Sequence, residues 1–360
     1  MKKRILFLLV LFATSVAVLA RVKFNGLVYG FDYGIYQPDG IDYSFKTLQI
    51  IGVEPIKASQ DISNWYSNNS PKMKGISPEE VLQGQITYPG ERLLFPLLAA
   101  PFVKLFGLQG MLVIPIISFY ALQISIFVLG VRHNRMEIAT ILAIIFSISP
   151  TILRWMVNDC PDALFAAIIS SIPFILNLRN QNVQRILLPI VILGATFTRF
   201  SLPIFLAIGG VMLIKRNYLT AVFLIILSMV LNIPALTQAN DMLTPQSEAG
   251  FWNKIALLPI SALKVGFIEI AQLAVLDRIL LLIIILSIYF AVVNRRKESS
   301  MYFLAVFFGV WALGAVNGTL GVNFRYQLPL LIFSAWVLID NLPRTLVISD
   351  IHVKGKETQN

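Results

Sequence analysis

Apolar runs long enough to cross a bilayer recur along most of this sequence, and short clusters of Arg and Lys divide them. Runs of about 17–25 apolar residues lying in lipid must satisfy their backbone hydrogen bonds internally, which leaves the helix as the element they form. Composition agrees. Of 360 residues, 57% are hydrophobic and 13% charged, and mean hydropathy is +0.75. A soluble domain carries about 45–50% apolar and about 25% charged residues. The same apolar mass excludes a disordered chain. The fold class expected is all-α, a polytopic integral membrane protein.

The formal net charge is +10, from 29 Lys and Arg against 19 Asp and Glu. Much of the excess sits between apolar runs, where the positive-inside rule places it on the cytoplasmic face. No basic stripe interleaved with aromatics is present, so no nucleic-acid partner is expected. A single cysteine, Cys160, excludes an internal disulfide framework and a Cys-based zinc site. Two histidines give little basis for His metal ligation or His-centred nucleophilic catalysis. No Walker loop, dinucleotide fingerprint, HExxH or GxSxG motif occurs.

The basic clusters serve as fixed points: Arg132 and Arg135, Arg179 and Arg185, Lys215 and Arg216, Arg295 to Lys297, and Arg344 with Lys354 and Lys356. Between two cytoplasmic points a chain crosses an even number of times. Ile5–Ala20, behind a basic start, reads as a retained first helix, with a secretory signal ending at Val18 and Ala20 as the alternative. Either way Arg21 onward lies outside. Residues 21–92 form a first extracytoplasmic loop, too long to be a mere connector. Leu93–Phe106, carrying Pro96, Pro101 and Lys104, reads as an interfacial or broken helix before the span Gly107–Val131. Glu137–Leu178 is a hairpin with its tip at Arg154–Pro161. Ile186–Ile214, about 29 residues and roughly 43 Å as one helix, exceeds a ~30 Å core and should fold back at Thr198, Arg199 and Phe200. Tyr218–Leu236 goes out, 237–277 is a second extracytoplasmic loop with an amphipathic portion, and Arg278–Val293 returns. Tyr302–Ile339 is a last hairpin with its tip at Asn317–Gln327, and 343–360 is a cytoplasmic tail. The count is about ten transmembrane helices.

This topology gathers Asp32, Asp39, Asp42, Glu91, Arg92, Arg154, Asp159, Asp162, Arg199 and Arg325 on the outer face. A charge at the membrane boundary usually pairs, lines a wet cavity or does chemistry. In FDYGIYQPDGIDYSF, Pro38-Asp39-Gly40 reads as a surface turn or as a carboxylate held above the membrane to accept a proton. Tyr33, Tyr36 and Tyr43 beside it read as interface-belt aromatics or as a sugar platform. Arg92 either snorkels beside Glu91 or binds a phosphate, which the guanidinium fork suits. In RWMVNDCPDALF, Asp162 reads as a helix cap or a site acid, and Asp159 and Arg154 as a pair or as separate substrate contacts. Arg199, at a fold-back between apolar helices, and Arg325, in NFRYQLPL, are candidate ligands of a lipid phosphate. His133 reads as structural, and Asp277 with Arg278 as the anchor of a helix end.

The pattern resembles the GT-C class of integral-membrane glycosyltransferases. PDGIDYSFKTLQ resembles the YDGQxYY-type segment of a bacterial GT-C-like branch, and YPGERLLFPLLAAP the YRYQRxLYPLLA segment that follows it there. RWMVNDCPDALFAA is similar to its RDxxEPLAA turn, TRFSLP to its TRE-type turn, and NFRYQLP to a late Arg-bearing turn. The resemblance runs over nearly the whole chain. It implies an inverting enzyme of the bacterial cytoplasmic membrane, moving a sugar from a polyprenyl-phosphate donor to a glycan, lipid or protein acceptor on the outer face. Asp39 is then the general base, and Arg92, Arg154, Asp159, Asp162, Arg199 and Arg325 meet the substrates. Membrane lipids surround it, and a divalent metal is admitted as a cofactor without a ligand set being supplied. The tandem acidic pair of many members is absent, Asp162 stands where the branch has Glu, and Phe200 and Ser201 follow Arg199 where an acid is expected. Two rivals predict other patterns. A transporter or flippase of a lipid-linked or anionic solute distributes charge through the bilayer and carries internal repeats, and no repeat is detected. An O-antigen polymerase or ligase places its large outer loop late in the chain, whereas here it comes first.

Overall fold

The computed structural model describes residues 2–24, 34–70, 73–87, 92–241, 258–317, 325 and 327–343, and among them there is no strand. The polar segment 21–92 is largely helical where described. Helix α1 (Lys2–Phe24) is followed by α2 (Pro38–Ile50), α3 (Pro55–Asn69) and α4 (Pro78–Thr87). Pro38 and Pro55 each stand at a helix start, where the fixed φ is pre-set and the missing N–H costs no bond. Pro38-Asp39-Gly40 is therefore the first turn of α2, not the surface turn that the tripeptide suggests. On α3, Ala58, Ile62 and Tyr66 recur every fourth residue, share one face and are buried. With Ile41, Phe45 and Leu48 of α2 and Phe95, Ala99 and Val103 of α5 (Leu94–Phe106) they build a small core of their own.

α5 ends at Gly107, whose φ of +65° suits glycine, and a 3₁₀ turn (Gly107–Leu112) leads into α6 (Val113–Arg132). A Cβ on Gly110 would run into the Phe102 carbonyl. That approach brings residues eight apart together, so the interruption falls after α5, whereas Pro96 and Pro101, expected to break the helix, lie within it.

The remaining helices form the main bundle. They are α7 (Met136–Ile148), α8 (Pro150–Met156), α9 (Asp162–Ile169), α10 (Ile172–Leu176), α11 (Gln181–Thr198) and α12 (Leu202–Ile214). After them come α13 (Tyr218–Asp241), α14 (Leu258–Leu276), α15 (Arg278–Val293), α16 (Glu298–Asn317) and α17 (Leu330–Asn341). α7 and α8 meet at 73°, and the Ser149 hydroxyl between them accepts the Ile152 N–H at 3.2 Å. A break within 186–214 falls at Arg199–Ser201, with Arg199 extended (φ −161°, ψ 157°) between α11 and α12. Within 237–277, α13 runs on to Asp241 and α14 occupies 258–276, its Gly266 pressed on the Trp311 ring of α16. α15 begins where expected, with Asp277 capping it by accepting the Leu280 N–H at 3.1 Å. α17 is buried from Leu330 through Ile339, as a helix apolar on all sides must be when it sits at the centre of a bundle.

Lys2–Phe24 and the broken segment Leu94–Arg132 are long and apolar enough to cross a membrane, and the bent α7–α8 pair adds a third if counted as one span. Leu8, Phe12 and Leu19 are more than half exposed along α1, an outer apolar surface of the kind lipid covers. The two ends of the bundle differ chemically. At one, Lys2 pairs with Glu137 at 2.8 Å, His133 with Asp340 at 2.7 Å, and Lys215 with Glu298. Arg135 donates to the Leu342 carbonyl at 2.7 Å, and Lys297 to Asn341 Oδ1 at 2.8 Å. The opposite ends of α7, α12 and α17 carry the remaining unusual charges.

Candidate functional site

Asp162 is the first residue of α9, yet it does not cap the helix: its carboxylate is spent on two arginines. Arg199, released from helical geometry at the α11–α12 break, pairs with Oδ1, and Arg325 Nε reaches Oδ2 at 2.9 Å. Arg325 Nη1 extends to Asp39 Oδ2 at 2.6 Å. Four segments distant in sequence thus join as Arg199–Asp162–Arg325–Asp39. The Asp162 side chain is 1% exposed and that of Asp39 53%, so the inner three are fixed while the outer carboxylate meets solvent.

Trp155 is the floor under the arginines. The Arg325 guanidinium lies 4.9 Å from its ring centroid and the Arg154 guanidinium 4.8 Å, both within cation–π range. Arg154 joins the cluster through this indole. Asp39 lies on α2, outside any span. Burial works to raise its pKa but is outweighed by the charge and hydrogen bond of Arg325, then by the charges of Arg199 and Arg92, which hold it below the ordinary carboxylate range. Arg92 also joins burial in lowering the Lys46 ammonium, against the pull of Asp42. Arg92 therefore stands in the same field while exposed to solvent.

Asp159 takes a different role from the substrate contact expected of it. It is fully buried in the loop between α8 and α9. Its Oδ1 accepts the Gln37 N–H at 2.7 Å, its Oδ2 accepts the Tyr66 hydroxyl, and its own N–H donates to the Ile35 carbonyl at 3.0 Å. A Cβ at position 40 would run into this carboxylate, so Gly40 is what lets α2 approach it. Asp159 pins the first-loop helices to the bundle. Burial pushes its pKa up to about 7, with the bonds from Gln37 and Tyr66 working against that rise. Tyr36 and Tyr43 are neither a belt nor a platform: both are buried, Tyr36 edge-on to Tyr66 at 5.9 Å and Tyr43 edge-on to Phe95 at 5.5 Å. Asp32, Tyr33 and Glu91 lie outside the described residues.

Tyr66, Gln37 and Trp155 are the participants that reading the chain in one dimension passes over. The signal for Tyr66 was its place on the Ala58–Ile62 face, because a buried phenol needs a hydrogen-bond partner. Among the described residues no three of Asp, Glu, His and Cys converge. With Asp162 held by arginines and Asp159 sealed by Tyr66, the described residues do not fit a divalent ion. No family model, curated protein or solved structure matches the chain.

Proposed function

We propose that the protein is a polytopic membrane glycosyltransferase of GT-C type, with about ten spans and its site on the extracytoplasmic face, moving a sugar from a polyprenyl-phosphate donor to an acceptor hydroxyl. One observation carries the reading: a single guanidinium, Arg325, shared between a buried carboxylate and an exposed one. Asp162 and Trp155 fix the guanidinium, so its exposed edge is pre-aimed. A donor phosphate arriving there, with Arg92 beside it, competes with Asp39 for Nη1 as another charged acceptor of a guanidinium N–H. Release from Arg325 removes the largest influence lowering the Asp39 carboxyl, and its basicity rises as substrate binds. The acceptor oxygen then attacks the anomeric carbon as the bond to the phosphate oxygen breaks. The bonding pair leaves on phosphate, stabilised by arginine, and the acceptor proton passes to Asp39.

The test uses the full chain in vesicles with radiolabelled polyprenyl-phosphate sugars. Wild type should transfer label to acceptor. Asp39→Asn should lower the rate by about 10²–10⁴-fold, the range for loss of a general base. Arg92→Ala, an exposed change, should mainly raise the donor KM. Equal transfer by Asp39→Asn would remove Asp39 as base, and donor crossing the vesicle unaltered would replace the reading with a transporter.

A further inference from the structure

α3 has a second working face. Beside the buried Ala58–Ile62–Tyr66 stripe, Asp61, Asn64, Trp65 and Asn68 fall at spacings of three, four and seven and line an open cleft of about 480 Å³. Val103 and Leu108, from α5 and the 3₁₀ turn, form part of the apolar wall. Among the described residues no Lys or Arg lines this cleft, so none of them offers a phosphate a cation. It presents instead amide donors and acceptors, one carboxylate and an indole. The Trp65 indole N–H is buried and makes no hydrogen bond among the described residues. A surface helix normally fills such a face with solvated charge of both signs.

We infer that this cleft binds a neutral, hydroxyl-rich glycan. Vicinal hydroxyls need donors and acceptors a few ångströms apart, which Asn64, Asn68 and Asp61 supply on a rigid helix. The C–H face of a sugar ring suits an aromatic side chain and the apolar wall across from it. Leu105 and Phe106, 73% and 60% exposed next to the cleft, place its rim at an apolar surface, where a membrane-borne glycan is presented. The cleft lies one helix away from the charged cluster. Trp65 packs edge-on against Tyr36 at 5.6 Å, Tyr36 against Tyr66, and Tyr66 bonds Asp159. On the transferase reading, the glycan held here is the acceptor's. Only that last step rests on the transferase reading, since binding itself does not.

The experiment incubates fluorescently labelled full chain with an array of free oligosaccharides and with glycolipids in nanodiscs. Retention on either set is expected, with Asn64→Ala/Asn68→Ala weakening it about tenfold or more, the worth of two lost neutral hydrogen bonds. Both asparagines are exposed, so the fold should survive their loss. Trp65→Phe keeps the ring and removes the N–H, and should weaken retention less. Retention by free oligosaccharides assigns recognition to the sugar alone, and retention by glycolipids only assigns it to a lipid-presented sugar. No retention on either set, or retention unchanged in the double variant, overturns the inference. Retention without any consumption of polyprenyl-phosphate sugar leaves the cleft standing and removes the transferase.

Discussion

Asp39 and Asp159 belong to one rim, and their surroundings drive them in opposite directions. Asp39 faces solvent among arginines and is held ionised, whereas Asp159 is sealed between Gln37 and Tyr66 and holds its proton to about pH 7. A carboxyl that binds its proton more tightly folded than unfolded favours the folded state at low pH. The contribution of Asp159 is therefore complete below about pH 4 and is lost as pH rises through about 7. Asp39 acts outside that window: its contribution is present above the ordinary carboxylate value and lost only as pH falls through its depressed one. Thermal unfolding in detergent should show stability declining between pH 4 and 7, by at most about 1.4 kcal/mol per pH unit for one group. Asp159→Asn keeps an acceptor for Gln37 and should flatten that slope. The same decline in the variant would place its source elsewhere.

At the scale of elements, the break between α11 and α12 matters most, because it delivers a cation to a buried anion. Arg199→Ala leaves Asp162 inside the bundle with one arginine, and breaking a buried pair costs about 3–5 kcal/mol. Adding Asp162→Asn to Arg199→Ala should recover part of that loss, which a thermal double-mutant cycle reads directly. No recovery would mean that Arg199 acts through its packing alone. This break was legible in the sequence because 29 apolar residues overfill one bilayer crossing and the sole charge among them marks the bend. The prolines of α5 pointed to a break inside the helix, but α5 carries them intact and the interruption comes after it, at Gly107. The first-loop helices were not legible. Their faces are half polar, so segment 21–92 reads as loop until α5 is present for Ile41, Ile62 and Tyr66 to pack against. Pro-Asp-Gly starts helices as readily as turns, and local sequence does not decide between them. α14 was hidden differently: Lys264 and Glu269 interrupt its apolar run, so it reads as an amphipathic portion of a loop. The gathering of Asp39, Asp162, Arg199 and Arg325 followed from counting crossings. Which acid meets which arginine depended on tertiary distances that no spacing encodes.

Taken whole, the molecule separates its charges by end. Lys2, Glu137, His133, Asp340, Lys215 and Glu298 satisfy one another far from the Asp162 cluster. Cys160, the single cysteine, is buried, so single cysteines can be introduced on a nearly silent background. Cysteines placed at 137 and 298 should react with an impermeant maleimide from the cytoplasmic side of oriented vesicles, and cysteines at 39 and 61 from the other. Labelling of both sets from one side would break the assigned topology and, with it, the proposed meeting of donor and acceptor. The chain of pairs from Arg199 to Asp39 also fixes an order in time. Translation delivers Asp39 and Asp162 well before Arg325, so a nascent chain carries both acids without this guanidinium until position 325 has been made. Termination between residues 162 and 325 leaves both carboxylates without that cation, one of them inside the bundle.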